Sequence, residues 1–107
     1  MIYKFKSKSS GDVIMTASSG DQLLRLLGRE PSRQGIIEAS AMPGAIAALE
    51  RAVAEDESAR AAAAAQRAAR GEAPDATGEV TVRQRVWPLV EMMKRSQAED
   101  ADIVWGV

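Results

Sequence analysis

The N-terminal stretch MIYKFKSK alternates apolar and basic side chains. In a β-strand, Tyr3 and Phe5 would share one face. The opposite face would carry Lys4, Lys6 and Lys8. The aromatic face needs an apolar cover, whereas the lysines stay in water and discourage edge-to-edge pairing. The stretch therefore predicts a half-buried strand with a solvated lysine face.

The tetrapeptide Ser-Ser-Gly-Asp occurs twice, at 9–12 and at 18–21. Serine, glycine and aspartate are the residues that chain reversals and helix starts require. In the first copy we expect Gly11 to form the turn of a β-hairpin, whose second strand covers 12–16.

The second copy predicts the start of a helix. Ser19 lies three residues before Gln22, which is the spacing of a capping box, and Asp21 favours the positive end of a helix dipole. We therefore expect the first helix to begin at Ser19 and to end at Gly28, which suits the left-handed conformation of a helix C-terminus.

A third strand and a long helix follow. The β-branched stretch at 35–39 predicts a strand, and Ser40 is expected to cap a helix that ends at Gly71. Large apolar side chains stop at Val53 and give way to alanine. Because alanine favours helix but offers little surface to bury, we expect 58–70 to project from the domain or to fray.

The last third of the chain contains a linker, a helix and a strand. The acidic, breaker-rich segment at 71–80 is interpreted as a flexible low-complexity linker. Thr81 and Gln84 have capping-box spacing and predict a helix over 82–98. The closing stretch at 103–107 predicts a docked strand.

The predicted order of elements is β-β-α-β-α-α-β in a single domain covering 1–107. Strands and helices mix without regular βα alternation, which is typical of a two-layer α+β domain. We expect a mostly antiparallel sheet of three to four strands packed by helices. Its first and last strands should be central or adjacent, because both are strongly apolar and each needs a partner.

The composition removes several kinds of chemistry. The chain has no cysteine and no histidine, which excludes thiol nucleophiles, Ser-His triads and the usual zinc ligands. We therefore expect a non-enzymatic protein without a cofactor or metal. An enzyme would need a carboxylate base such as Asp12, Asp21 or Glu38.

Charge and hydropathy constrain the partners. The net charge is −1, which argues against nucleic acid or an anionic membrane as ligand. No apolar run approaches the roughly 20 residues that span a bilayer, and the N-terminus lacks the apolar region of a signal peptide. We expect a cytoplasmic protein.

Six stretches, in order along the chain, resemble the family of small bacterial proteins numbered 1840 among domains of unknown function. They are GDVIM, GDQLLRLLG, QGII, AMPGAIAALE, RQRVWPLVEMM and DIVWGV. The resemblance implies a small cytoplasmic bacterial protein. It implies no catalytic residue, cofactor or partner.

The start of the first helix is a candidate anion site, because helix N-termini bind anions through free backbone N–H groups. Asp21 opposes this hypothesis, since its carboxylate would lie where a phosphate binds. A helix cap is the competing interpretation. The residues assigned to the candidate anion site are Ser18, Ser19, Gly20, Arg25 and Arg29.

Arginines near the ends of two helices form a second candidate. If the helix ends meet, they would create a basic patch that holds a carboxylate, a phosphate or an acidic protein segment. A solvated face with local ion pairs is the competing interpretation. The arginines are Arg25, Arg29, Arg33, Arg83 and Arg85.

Trp87 and Met92 do not share the main apolar stripe of the last helix. Aromatic and methionine side chains concentrate at protein-binding surfaces, so this pair is the candidate interaction surface. The competing interpretation is a helix buried on two sides.

The function that these features favour is a protein-interaction or self-associating domain, with a protein or a second copy as partner. The alternative is a small-molecule or anion-binding domain at the first helix start. No sequence feature identifies the cellular role.

Overall fold

The computed structural model describes residues 2–72 and 80–107. The helices and strands follow one another in the predicted order, which confirms a small α+β domain. Residues 73–79 of the predicted linker lie outside the described part. The elements are β1 (Ile2–Ser7), β2 (Ser10–Thr16), α1 (Ala17–Leu26), β3 (Gly35–Ile37), a short 3-10 turn (Ala39–Ala41), α2 (Met42–Ala69), α3 (Val82–Ala98) and β4 (Ile103–Trp105).

The strands form one antiparallel sheet in the order β2-β1-β4-β3. The first and last strands of the chain are therefore neighbours at its centre, as the sequence predicts. Phe5 lies opposite Val13 on one side and opposite Trp105 on the other. The Tyr3 ring stacks on the Phe5 ring with their centroids 5.8 Å apart. These aromatic rings form the surface on which the helices pack.

The helices lie on the aromatic face of the sheet. α1 and α3 contact the sheet, and α2 packs mainly against α3. Leu23 of α1, Leu49 of α2 and Leu89 of α3 are fully buried in one apolar core with Phe5. Among the described residues, no helix covers the opposite face of the sheet. The domain therefore has two layers and one open sheet face.

The prediction that Gly11 forms the hairpin turn is wrong. Lys8 and Ser9 form the turn, and Gly11 lies inside β2. A network of hydroxyls explains the difference, because the buried Ser96 of α3 bonds to Ser7 at 2.8 Å and to Ser9 at 3.0 Å. These bonds hold the reversal against α3 at Ser9, so the strand resumes before the glycine.

The prediction that α1 begins at Ser19 is also wrong. Thr16 is the N-cap, and its Oγ1 accepts a hydrogen bond from the Ser19 backbone N–H at 3.5 Å. Both residue types cap helices well, so local sequence does not choose between them. The predicted C-terminus is confirmed, since Gly28 follows the helix with a positive φ of 78°.

The observed start of α2 and the end of β4 differ from the predicted boundaries by a few residues. Ser40 does not cap α2, which begins at Met42 after a 3-10 turn closed by the Ala41 N–H and the Glu38 carbonyl. Pro43 in the first helical turn has no N–H that needs a cap. β4 ends before Gly106, whose φ of 74° leaves the strand conformation.

The capping box at Thr81 and Gln84 is confirmed. Asp56 of α2 adds a further bond at this helix start, because its Oδ2 accepts from the Val82 backbone N–H at 3.3 Å and from Arg60 Nε at 2.9 Å. The hydrogen bond from Arg60, against a smaller opposing effect of desolvation, lowers the pKa of the Asp56 carboxyl below its usual 3.8. Asp56 therefore joins α2 to α3 as a carboxylate.

Asp56→Asn should lower the free energy of unfolding near neutral pH, because the amide loses the charged contact with Arg60. The folded-state pKa of Asp56 is lowered, so this stabilisation is present above about pH 3.8 and is lost as pH falls through the folded pKa. Urea unfolding at several pH values should show the difference between wild type and Asp56→Asn shrinking in acid. A constant difference, or the same behaviour in the neighbouring Glu55→Gln, would contradict this role.

Candidate functional site

The hydroxyls at the start of α1 bond to one another. Thr16 Oγ1 lies 3.2 Å from Ser19 Oγ and 3.4 Å from Ser18 Oγ. The same Thr16 oxygen accepts the backbone N–H of Ser19. The predicted anion-site residues Ser18 and Ser19 are thus close together, as part of the helix cap.

Gly20 has a packing role at this helix start. It is buried beneath the Tyr3 ring of β1, and a Cβ at position 20 would overlap ring atoms. The Tyr3 hydroxyl donates to Asp21 Oδ1 at 2.5 Å. Burial of the ring, followed by the hydrogen bond and charge of Asp21, raises the pKa of Tyr3 to about 12. The glycine therefore lets β1 and α1 approach closely.

Three of the five candidate arginines lie in different surroundings. Arg29 donates from Nη1 to the Ile36 carbonyl of β3 at 2.7 Å, whereas Arg25 is exposed on α1. Arg85 of α3 reaches α1, with 2.8 Å between its Nη1 and Gln22 Oε1. Anion binding at α1 stays a prediction.

Trp87 and Met92 lie in different surroundings. Met92 is 2% exposed and belongs to the core, so it does not share an exposed surface with Trp87. The half-buried Trp87 ring has the Arg83 guanidinium 4.6 Å from its centroid and Lys94 Nζ at 5.2 Å. Arg83 is also paired to Glu57 of α2 at 2.8 Å. The ring is therefore part of the contact between α3 and α2.

The open side of the sheet carries apolar side chains that sequence reasoning missed. We call this side the outer face. Three isoleucines stand on it, with exposed fractions of 62% for Ile2, 61% for Ile14 and 41% for Ile36. The sequence signal lies in VIM and GII, where continuous apolar runs place an apolar side chain on each side of the pleat. The residues of the outer face are Ile2, Lys4, Lys6, Ile14, Ile36 and Val104.

Strand register places lysines between these isoleucines. Lys4 lies opposite Ile14, and Lys6 lies opposite Val104, which in turn lies opposite Ile36. Lys4 Nζ is 3.6 Å from Asp12 Oδ2, a pair with both side chains substantially exposed. Such an exposed ion pair contributes little stability. The outer face combines exposed isoleucines with two lysines, of which Lys4 is paired with Asp12.

Within the described residues, no three metal-ligating side chains are grouped, and no helix is long and apolar enough to cross a membrane. Of the carboxylates proposed as bases, Asp12 pairs with Lys4 and Asp21 accepts from Tyr3.

One comparison with known proteins gives a match. The model of the family described as Domain of unknown function (DUF1840) matches residues 1–105. Neither the curated proteins nor the solved structures contain a match to this chain.

Gly20→Ala should destabilise the protein by about 1–3 kcal/mol, because the added methyl displaces the Tyr3 ring. Gly44→Ala is the matched control, since Gly44 also lies in a helix but has nothing within 4 Å of the place that an added methyl would occupy. That variant should be neutral or more stable by up to about 1 kcal/mol. Urea unfolding of both measures the difference, and equal effects would contradict the packing role.

The single tyrosine permits a direct pH test. The phenol of Tyr3 has its ordinary pKa of 10.0 in the unfolded chain and about 12 in the folded protein. Between these values only the unfolded state has lost the proton, so the free energy of unfolding should fall as pH rises. In the Tyr3→Phe variant, the free energy of unfolding measured by urea titration should fall less over this pH range, because the variant has no phenol to titrate. An equal alkaline loss in both proteins would show that Tyr3 does not cause it.

Proposed function

We propose that this chain, which belongs to the DUF1840 family, is a non-enzymatic domain that binds another protein through the outer face of its sheet. The observation that carries the proposal is the exposure of Ile2, Ile14 and Ile36 on one side of the sheet. Scattered exposed apolar residues are normal, but several on one face mark an interaction surface.

The charge of the outer face indicates the chemistry of the partner. Lys4 and Lys6 stand among the isoleucines, and Asp12 is the acidic side chain within reach of Lys4. Lysine stems cover apolar surface while their ammonium groups remain in water. A partner surface with apolar side chains and carboxylates would complement both properties.

The size of the outer face predicts a transient contact. Strands about 4.8 Å apart and only a few residues long present roughly 300 Å². A stable complex buries about 800 Å² on each partner. The outer face alone is therefore too small for a permanent interface, and its size is typical of a transient complex.

Ile2→Glu combined with Ile36→Glu should abolish binding through the outer face, because two added carboxylates would have to be desolvated and would repel the carboxylates of the partner. Both residues are exposed, so stability should change little. Ala62→Glu with Ala64→Glu, at exposed positions of α2, adds the same charge elsewhere. Affinity capture from cells that express the protein, with quantitative mass spectrometry, compares the three forms.

Proteins enriched by the wild type should be retained by the α2 control and lost, about tenfold or more, from the outer-face variant. Equal enrichment by all three forms would contradict the proposal. If the wild type enriches no protein, sedimentation velocity of the purified chain tests for a second copy as partner. A monomer at every concentration would then also contradict it.

A further inference from the structure

The two edges of the sheet differ. The β3 edge is three residues long, and its Ile36 carbonyl accepts a hydrogen bond from Arg29 at 2.7 Å. The β2 edge is seven residues long and pairs with β1 alone. The β3 edge is short and partly occupied, whereas β2 offers a longer row of backbone groups.

The main chain of β2 is open to an added strand. Within the described residues, no group outside β1 hydrogen-bonds to the backbone between Asp12 and Met15. Proteins usually protect such an edge with lysine, proline or a covering element. β2 contains neither lysine nor proline, so its edge lacks these two protections.

A groove runs between β2 and the first turns of α3. Its volume is about 240 Å³. Apolar side chains from both elements line it, and Val80, just before α3, is 48% exposed. The lining residues are Val13, Ile14, Met15, Thr16, Ser19, Val80, Gln84, Arg85 and Pro88. An open strand edge beside a helix is the arrangement in which extended peptides bind by strand addition.

Arg85 brings a positive charge to the groove. Arg85 is the charged residue among those that line it. Its Nη1 donates to the neutral Gln22 side chain at 2.8 Å. In the described part of the chain, Arg85 forms no ion pair with a carboxylate, although a guanidinium has five N–H donors in a geometry that suits one.

We infer that an extended peptide segment of another protein binds as a fifth strand along β2, with an apolar side chain in the groove and a carboxylate at Arg85. The charge favours this ligand over a second copy, whose corresponding groove would bring another arginine. The groove shares Ile14 with the outer face. The inference nevertheless rests on the β2 backbone and Arg85, and not on the function proposed for the outer face.

The test uses random heptapeptides selected on the immobilised protein from two display libraries, one with free C-terminal carboxylates and one with the peptides embedded in a loop. Enriched peptides should alternate β-branched and polar residues and carry a carboxylate. Enrichment from the first library alone would show that the bound carboxylate is the peptide C-terminus. Enrichment from both libraries would show that it is the side chain of Asp or Glu.

Selected peptides are then synthesised and titrated against isotopically labelled protein. The amides of 12–16 should shift and exchange more slowly with solvent. Replacing the peptide carboxylate by an amide should weaken binding about tenfold or more. Arg85→Gln should remove this preference, while Arg25→Gln, at an exposed arginine outside the groove, should retain it.

No enrichment from either library would overturn the inference. Shifts confined to β1, β3 and β4 would also overturn it, as would a purified protein whose β2 amides are already protected in a dimer. Folding of Arg85→Gln is checked by tryptophan fluorescence. If it does not fold, the role of Arg85 is tested by comparing the affinities of the acid and amide peptides for the wild-type protein. Equal affinity of the two would contradict the role of Arg85. The Ile2→Glu, Ile36→Glu variant should bind the selected peptides normally, so failure of one proposal is distinguishable from failure of the other.

Discussion

Pairing between β1 and β4 brings the two ends of the chain together at the centre of the sheet, and the rest of the structure depends on it. The pair of Phe5 and Trp105 joins the N-terminal hairpin to the C-terminal strand. β3 joins the sheet only through β4. α1 is held against β1 where the Tyr3 ring covers Gly20. The helices of the described residues lie on this aromatic side and leave the opposite side open, which creates the outer face, while the contact of α3 with β2 creates the groove.

The fold could be predicted where a residue's own neighbours determine its structure. The alternation of Tyr3 and Phe5 with lysines specifies a half-buried strand, and Thr81 with Gln84 specifies the start of α3. The prediction was wrong where contacts between distant residues determine which of two equally suitable local residues caps a helix. Thr16 and Ser19 both cap helices, and Gly20 must lie within the helix to receive the Tyr3 ring. Neither constraint is visible within one turn of the sequence.

The candidate surfaces were harder to predict than the fold. An isoleucine in a β-branched stretch suggests core, and only the sheet order and the one-sided helical cover show that Ile14 and Ile36 face outward. Met92 illustrates the converse. It lies off the main stripe of its helix, yet it is buried because α3 packs against both β2 and α2. The groove beside β2 also depends on a contact between distant segments.

The central claim is that the outer face contacts another protein in the cell. The most direct measurement places a photoreactive amino acid at Ile36 on the outer face, and at Ala62 on α2 as a control, and irradiates living cells. We expect discrete cross-linked adducts from position 36 that are absent from position 62. No adduct from position 36, or the same adducts from both positions, would contradict it.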